Sequence, residues 1–113
     1  MRIMDFLDKE SIALNIKSKT KKEVIEELVE MLAQKGLIAD KKVTIESLME
    51  REELGSTGVG QGIAIPHSKT KGVKELVAAF GVSKDGVNFE ALDGEPVYIF
   101  FFFWRPRERP GLC

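Results

Sequence analysis

The side chain best suited to chemistry in this sequence is its single histidine, His67. A neutral imidazole is a competent nucleophile near pH 7 and needs no metal to act as one. It follows Pro66, whose ring restricts the backbone and removes a donor, so few rotatable bonds set the direction of the imidazole. Upstream runs Gly55-Ser56-Thr57-Gly58-Val59-Gly60-Gln61-Gly62, four glycines in eight residues. Peptide N–H groups at Gly58, Gly60 and Gly62 can approach an anion closely because no Cβ stands in the way. The hydroxyls of Ser56, Thr57 and Ser68 are further potential donors to such an anion. A nucleophilic ring beside a cradle of donors is suited to accept a phosphoryl group, a transfer that depends on positioning and on stabilising charge.

Arg51 is the second candidate. On a helix ending near Leu54 it stands about 60° from Leu48, at the margin of the apolar stripe, from where it can reach the glycine segment. A guanidinium is permanently charged and binds phosphate oxygens as a fork. Each feature also has an ordinary structural reading. A lone histidine is most often a surface or satisfied core residue, a glycine cluster a turn, and an arginine amid Glu50, Glu52 and Glu53 a member of a solvated ion-pair network worth about 0–1 kcal/mol.

Other chemistries fit poorly. The glycine segment lacks the Gly-Lys-Ser/Thr of a Walker loop, and its order, helix before and strand after, inverts that of a dinucleotide fingerprint. One histidine and one cysteine, Cys113, cannot assemble a triad, a structural zinc site or an internal disulfide, so no metal or cofactor is expected. Seventeen basic and eighteen acidic residues give a formal charge of -1, which disfavours nucleic-acid binding. No apolar run of about 18 residues is present to cross a membrane, and the opening residues lack the core of a signal peptide; a cytoplasmic location is expected.

The 113 residues, 43% hydrophobic and 31% charged, amount to a single domain with one core. Residues 5–8 could form a helical turn, and Ile12, Leu14 and Ile16 alternate as in a half-buried strand. Thr20 and Glu23 form a capping box ahead of an apolar stripe of Val24, Ile25, Leu28, Val29, Met31 and Leu32, which Gly36 ends. A second helix is expected from about Asp40 or Thr44 to Leu54, with Ile45, Leu48 and Met49 inward. The glycine segment reads as a loop, followed by short strands at residues 63–65, 76–82, 87–89 and 96–104, with Asp85-Gly86 and Asp93-Gly94 as turns. Helices followed mostly by strands predict an α/β sandwich with a mixed or antiparallel sheet. The continuous run Tyr98-Ile99-Phe100-Phe101-Phe102-Phe103-Trp104 requires cover on both faces and is an aggregation risk without it.

The string Arg51-Glu52-Glu53-Leu54-Gly55-Ser56-Thr57-Gly58-Val59-Gly60-Gln61-Gly62-Ile63-Ala64-Ile65-Pro66-His67 closely resembles a known phosphorylation-site signature. It is that of the fructose, mannitol and nitrogen-regulatory class of enzyme IIA domains of the bacterial phosphoenolpyruvate-dependent sugar phosphotransferase system. Asp5-Phe6-Leu7, the helix from Thr20 and the strand near residues 96–103 are similar in order and spacing.

The resemblance implies that His67 accepts a phosphoryl group at Nε2 from phospho-HPr. The group then passes to a cysteine of a IIB domain, or the phosphorylation state controls a regulatory protein target. It further implies that Arg51 sits beside the phosphohistidine, and that a mixed sheet is flanked by helices on both faces in a three-layer sandwich. Two departures are expected to matter. Members of this class usually continue for a few more helices, so residues 1–113 read as a single domain lacking its C-terminal helices. A second histidine common in the class has Cys113 in its place.

Overall fold

The computed structural model describes residues 12–107; the helical turn expected at residues 5–8 and Cys113 lie outside them. Strand β1 (Ile12–Ala13) is followed by helices α1 (Lys21–Gln34) and α2 (Lys41–Glu53), and then by five strands. These are β2 (Gly58–Gly60), β3 (Ile63–Ala64), β4 (His67–Thr70), β5 (Val77–Val87) and β6 (Val97–Pro106).

Local signals set the helix ends. Thr20 caps α1 by accepting from the Glu23 N–H. The Glu23 carboxylate accepts the Thr20 hydroxyl at 2.9 Å, a variant of the expected box, while the Thr20 backbone bridges to Asn88. At the other end Gly36, at φ +77°, lets its own N–H reach the Ala33 carbonyl and the Leu37 N–H reach the Leu32 carbonyl, which terminates the helix. Asp40 caps α2 through the Val43 N–H. The inward stripe of α2 differs from expectation. Leu48 is fully buried, but it is flanked by Thr44 and Glu52, while Ile45 and Met49 are only partly covered.

The sheet is mixed, in the order β1-β5-β6-β3-β2, with β4 also on β6. β5 and β6 form the long antiparallel centre, and β1 lies parallel to β5. β3 and β4 run parallel to β6 in one unbroken register, Ala64 opposite Phe100 and His67 opposite Phe103. They are one edge strand interrupted at Ile65-Pro66, where proline has no N–H to give; the Pro66 carbonyl still accepts from Phe103 at 2.9 Å.

Three expectations need correction. Gly58–Gly60 is a strand, not a loop, and forms a bulged hairpin with β3. The strand that begins at His67 had no counterpart in the sequence reading. Residues 76–82 and 87–89 are not separate pieces, since β5 continues through Asp85-Gly86 with a register shift between Val82 and Val87.

Alternation along β6 divides the aromatic run between the two faces. Phe100, Phe102 and Trp104 are fully buried and share one core with Val24, Ile25, Leu28 and Leu48 of the two helices. Their rings stack in a row, with centroids 5.6 and 5.5 Å apart, and Phe89 meets Phe100 edge-on. Phe101 and Phe103 point the other way and are half-buried, Phe101 resting 5.0 Å from Phe80. Both described helices therefore cover the same face, and among the described residues no helix covers the second.

Candidate functional site

His67 is exposed at the start of β4. Its Nδ1 lies 2.8 Å from the Ile65 carbonyl oxygen. A carbonyl can only accept, so Nδ1 carries the proton and the lone pair resides on Nε2. Nε2 has no partner among the described residues. The interruption lies between the two groups: Pro66 has no N–H to pair, and its fixed φ limits how the chain can turn between the Ile65 carbonyl and the ring.

An open groove of about 540 Å³ runs past the imidazole, lined by Arg51, His67, Ser68, Lys69, Leu76, Phe103 and Arg105. Arg51 enters it from the last turn of α2, where Nη1 donates to the Gly55 carbonyl at 3.0 Å. None of the neighbouring glutamates claims it; among the described residues Arg51 forms no ion pair. Its remaining N–H groups are available to an anion on Nε2.

The structure brings His67, Arg51 and Ser68 together but does not bring Ser56, Thr57 or the three glycines into the groove. The Ser56 hydroxyl donates to the Phe89 carbonyl and accepts from the Gly58 N–H. Thr57 is buried, and both its N–H and its hydroxyl donate to the Glu52 carboxylate. Gly58, Gly60 and Gly62 belong to the hairpin. A Cβ at Gly58 would stand 2.7 Å from Cβ of Ala91, and Gly62 holds φ +80° while its carbonyl accepts from the Tyr98 and Ile99 N–H groups. The glycine pattern thus has a packing reason of its own.

Sequence reasoning missed Glu52, whose side chain is 2% exposed and pairs with Lys21 at 3.1 Å. Nothing local signals this pair, because its members come from different helices. It also missed Lys69, Leu76, Phe103 and Arg105. Of these, Lys69 was recoverable from the period-2 spacing once His67 is placed on a strand. Among the described residues no group of three or more histidine, cysteine, aspartate or glutamate side chains could hold a metal ion.

A mixed sheet with helices packed on it is the fold of solved enzyme IIA domains. The nitrogen regulatory protein IIA-Ntr from Neisseria meningitidis superposes with a TM-score of 0.82 at 37% identity, over 96% of this chain and 74% of that one. The mannitol IIA of Escherichia coli, solved in complex with phosphorylated enzyme IIB, gives 0.73 at 25% identity, over 92% and 72%. In sequence, the fructose-specific EIIABC component of Bacillus subtilis is 48% identical over 101 residues, which are 89% of this chain but only 16% of that protein. Residues 5–110 match the family described as the phosphoenolpyruvate-dependent sugar phosphotransferase system, EIIA 2, and the chain belongs to it.

Proposed function

We propose that this chain is a phosphoryl carrier, accepting a phosphoryl group from phospho-HPr on His67 Nε2 and passing it to a cysteine of a IIB domain in the cytoplasm. The observation that carries the reading is the bond from Nδ1 to the Ile65 carbonyl, which leaves Nε2 as the free nucleophile in a groove that also holds Arg51. In the transfer a P–N bond forms at Nε2 as the donor's P–N bond breaks, and the donor nitrogen keeps the electron pair. The proton stays on Nδ1, donated in a hydrogen bond to the Ile65 carbonyl, whose negative end offsets the positive charge that develops on the ring. Arg51 neutralises the equatorial oxygens. Ser56, Thr57, Gly58, Gly60 and Gly62 act as the frame of the hairpin, since Ile65 hangs from it through its N–H to the Thr57 carbonyl at 3.1 Å. The solved mannitol complex supports a IIB domain as the acceptor.

A second reading, that phosphorylation of His67 switches contact with a regulatory protein, is favoured by the likeness to the Neisseria nitrogen regulatory protein. Incubation with phosphoenolpyruvate, enzyme I and HPr tests both. Acid-labile phosphate on Nε2 by phosphorus NMR, absent in His67→Ala, is expected; label that survives that substitution rejects the assignment. Onward transfer to a IIB cysteine distinguishes carrier from regulator.

A further inference from the structure

Resting on the phosphoryl-acceptor reading, we infer that Glu52 and Thr57 are positioning residues for the transfer: one buried carboxylate at the end of α2 sets both the ring of His67 and the guanidinium of Arg51. Neither residue lines the groove. Their hold on it runs through two short branches that both start at Glu52. The first leaves from the side chain. Oε1 accepts the Thr57 N–H at 3.2 Å and Oε2 accepts the Thr57 hydroxyl, so the carboxylate grips Thr57 at two points. The Thr57 carbonyl accepts the Ile65 N–H at 3.1 Å. Pro66 has no donor to add, so this bond and the one from the Phe103 N–H to the Pro66 carbonyl orient the Ile65 carbonyl between them. That carbonyl is the one partner of the His67 ring among the described residues. The second branch leaves from the main chain. The Glu52 carbonyl accepts the Gly55 N–H at 3.1 Å, and the Gly55 carbonyl accepts Arg51 Nη1 at 3.0 Å. Residues 53–56 are thus closed into a loop fixed on Glu52, and Gly55 within it holds the guanidinium.

Stability alone accounts poorly for a charged group here. Glu52 is buried and its partner Lys21 largely so, and a buried ion pair is often no more stabilising than apolar side chains of the same volume. What the carboxylate supplies, and an apolar side chain cannot, is two acceptor oxygens aimed at one residue, which fixes that residue's peptide in place. The consequence reaches the ring. An unrestrained imidazole exchanges its proton between the two nitrogens and turns about its side-chain bonds. A ring protonated on Nε2 has no lone pair there to meet phosphorus. Misplacing a reacting group by about 1 Å costs on the order of 10²-fold in rate. Holding Ile65 in place therefore acts on the chemical step and not on the encounter with a donor, since Glu52 and Thr57 are both buried.

The full chain is compared with Thr57→Val, which deletes the hydroxyl at nearly constant volume, with Thr57→Ser, which restores it, and with Glu52→Gln. Nitrogen-15 NMR reads the His67 ring. Labelling is followed with phospho-HPr and with phosphoramidate, a small donor that has no docking face. In Thr57→Val the ring signals are expected to move from one tautomer, protonated at Nδ1, to an average of two, with kcat about tenfold lower and KM unchanged. The phosphoramidate rate falls by the same factor, and Thr57→Ser recovers both the tautomer and the rate. Glu52→Gln, with one acceptor oxygen in place of two, falls at least as far as Thr57→Val and carries the test if Thr57→Val does not fold. A loss confined to KM, or a folded Thr57→Val that keeps one tautomer and the wild-type kcat, overturns this inference alone. So does Thr57→Ser falling as far as Thr57→Val, which assigns the effect to packing. A wild-type chain that takes no label from either donor overturns the acceptor reading, and this inference with it.

Discussion

Lys21 Nζ and Glu52 Oε1 stand 3.1 Å apart, their side chains 11% and 2% exposed, and join the first turn of α1 to the last turn of α2. The pair is the root of a hydrogen-bonded path to His67. Glu52 accepts the N–H and hydroxyl of Thr57, the Thr57 carbonyl accepts the Ile65 N–H, and the Ile65 carbonyl accepts His67 Nδ1. Lys21 also lies 5.0 Å over the Phe89 ring and 3.4 Å from Glu90. Two helices and the glycine hairpin are thereby tied at one point.

The two halves of this pair should not cost the same to remove. Lys21→Met strands a buried carboxylate and is expected to cost about 3–5 kcal/mol. Glu52→Gln leaves a lysine that can still turn to Glu90, and is expected to cost about 1–3 kcal/mol. Urea unfolding of both variants checks this, and a larger loss for Glu52→Gln would contradict it. Nitrogen-15 NMR of Glu52→Gln should also show His67 losing its single tautomer as the Ile65 carbonyl loosens.

Arg51→Ala is expected to slow phosphorylation of His67 about 10²-fold, the scale of losing one preorganised charge-stabilising group. Arg51→Lys keeps the charge but loses the fork, and should fall between the two. Rates at saturating phospho-HPr decide the order; an unchanged rate in Arg51→Ala would remove Arg51 from the site.

Asp93 fastens the hairpin tip. Its carboxylate accepts the Glu95 N–H at 3.0 Å and the Gln61 N–H at 3.1 Å, and these two bonds hold its pKa below the ordinary aspartate value. A depressed folded pKa contributes stability that is present above the unfolded value near 3.8 and lost as pH falls through the lower folded one. Asp93→Asn should therefore lower the thermal midpoint at neutral pH, with the gap to wild type closing in acid. A gap that widens in acid would contradict the sign.

Trp104 is fully buried, and among the described residues its indole N–H has no acceptor. Trp104→Phe keeps the stack on Phe102 and removes the unsatisfied donor, so its cost should fall well below the roughly 3–5 kcal/mol expected for Trp104→Ala. Denaturant midpoints of the two variants test this. Similar losses would show that volume alone matters at the position.

What was legible in the sequence was whatever short-range physics determines. Helix α1 follows from a cap, a 3.6-residue apolar period and a glycine stop, all within one stretch of chain. The choice of His67 as the proposed nucleophile and of Arg51 as its proposed guanidinium partner followed from the resemblance of residues 51–67 and from their residue types. Strand β4 was not legible, because His67-Ser68-Lys69-Thr70 carries no apolar signal. Its Ser68 lies 3.3 Å from Ser47 under α2, and its other face looks outward. The glycines read as a loop because their density hides a hairpin whose register is imposed by Ala91 and Tyr98 across the fold.

The sequence alone determined which residue is proposed to carry a phosphoryl group, since the chain has a single imidazole and chemistry depends on residue type. Tertiary structure decided which nitrogen is free, where the hydroxyls of Ser56 and Thr57 are spent, and which cations gather around His67. Those outcomes depend on contacts between segments distant in the chain, and local propensity carries no information about them.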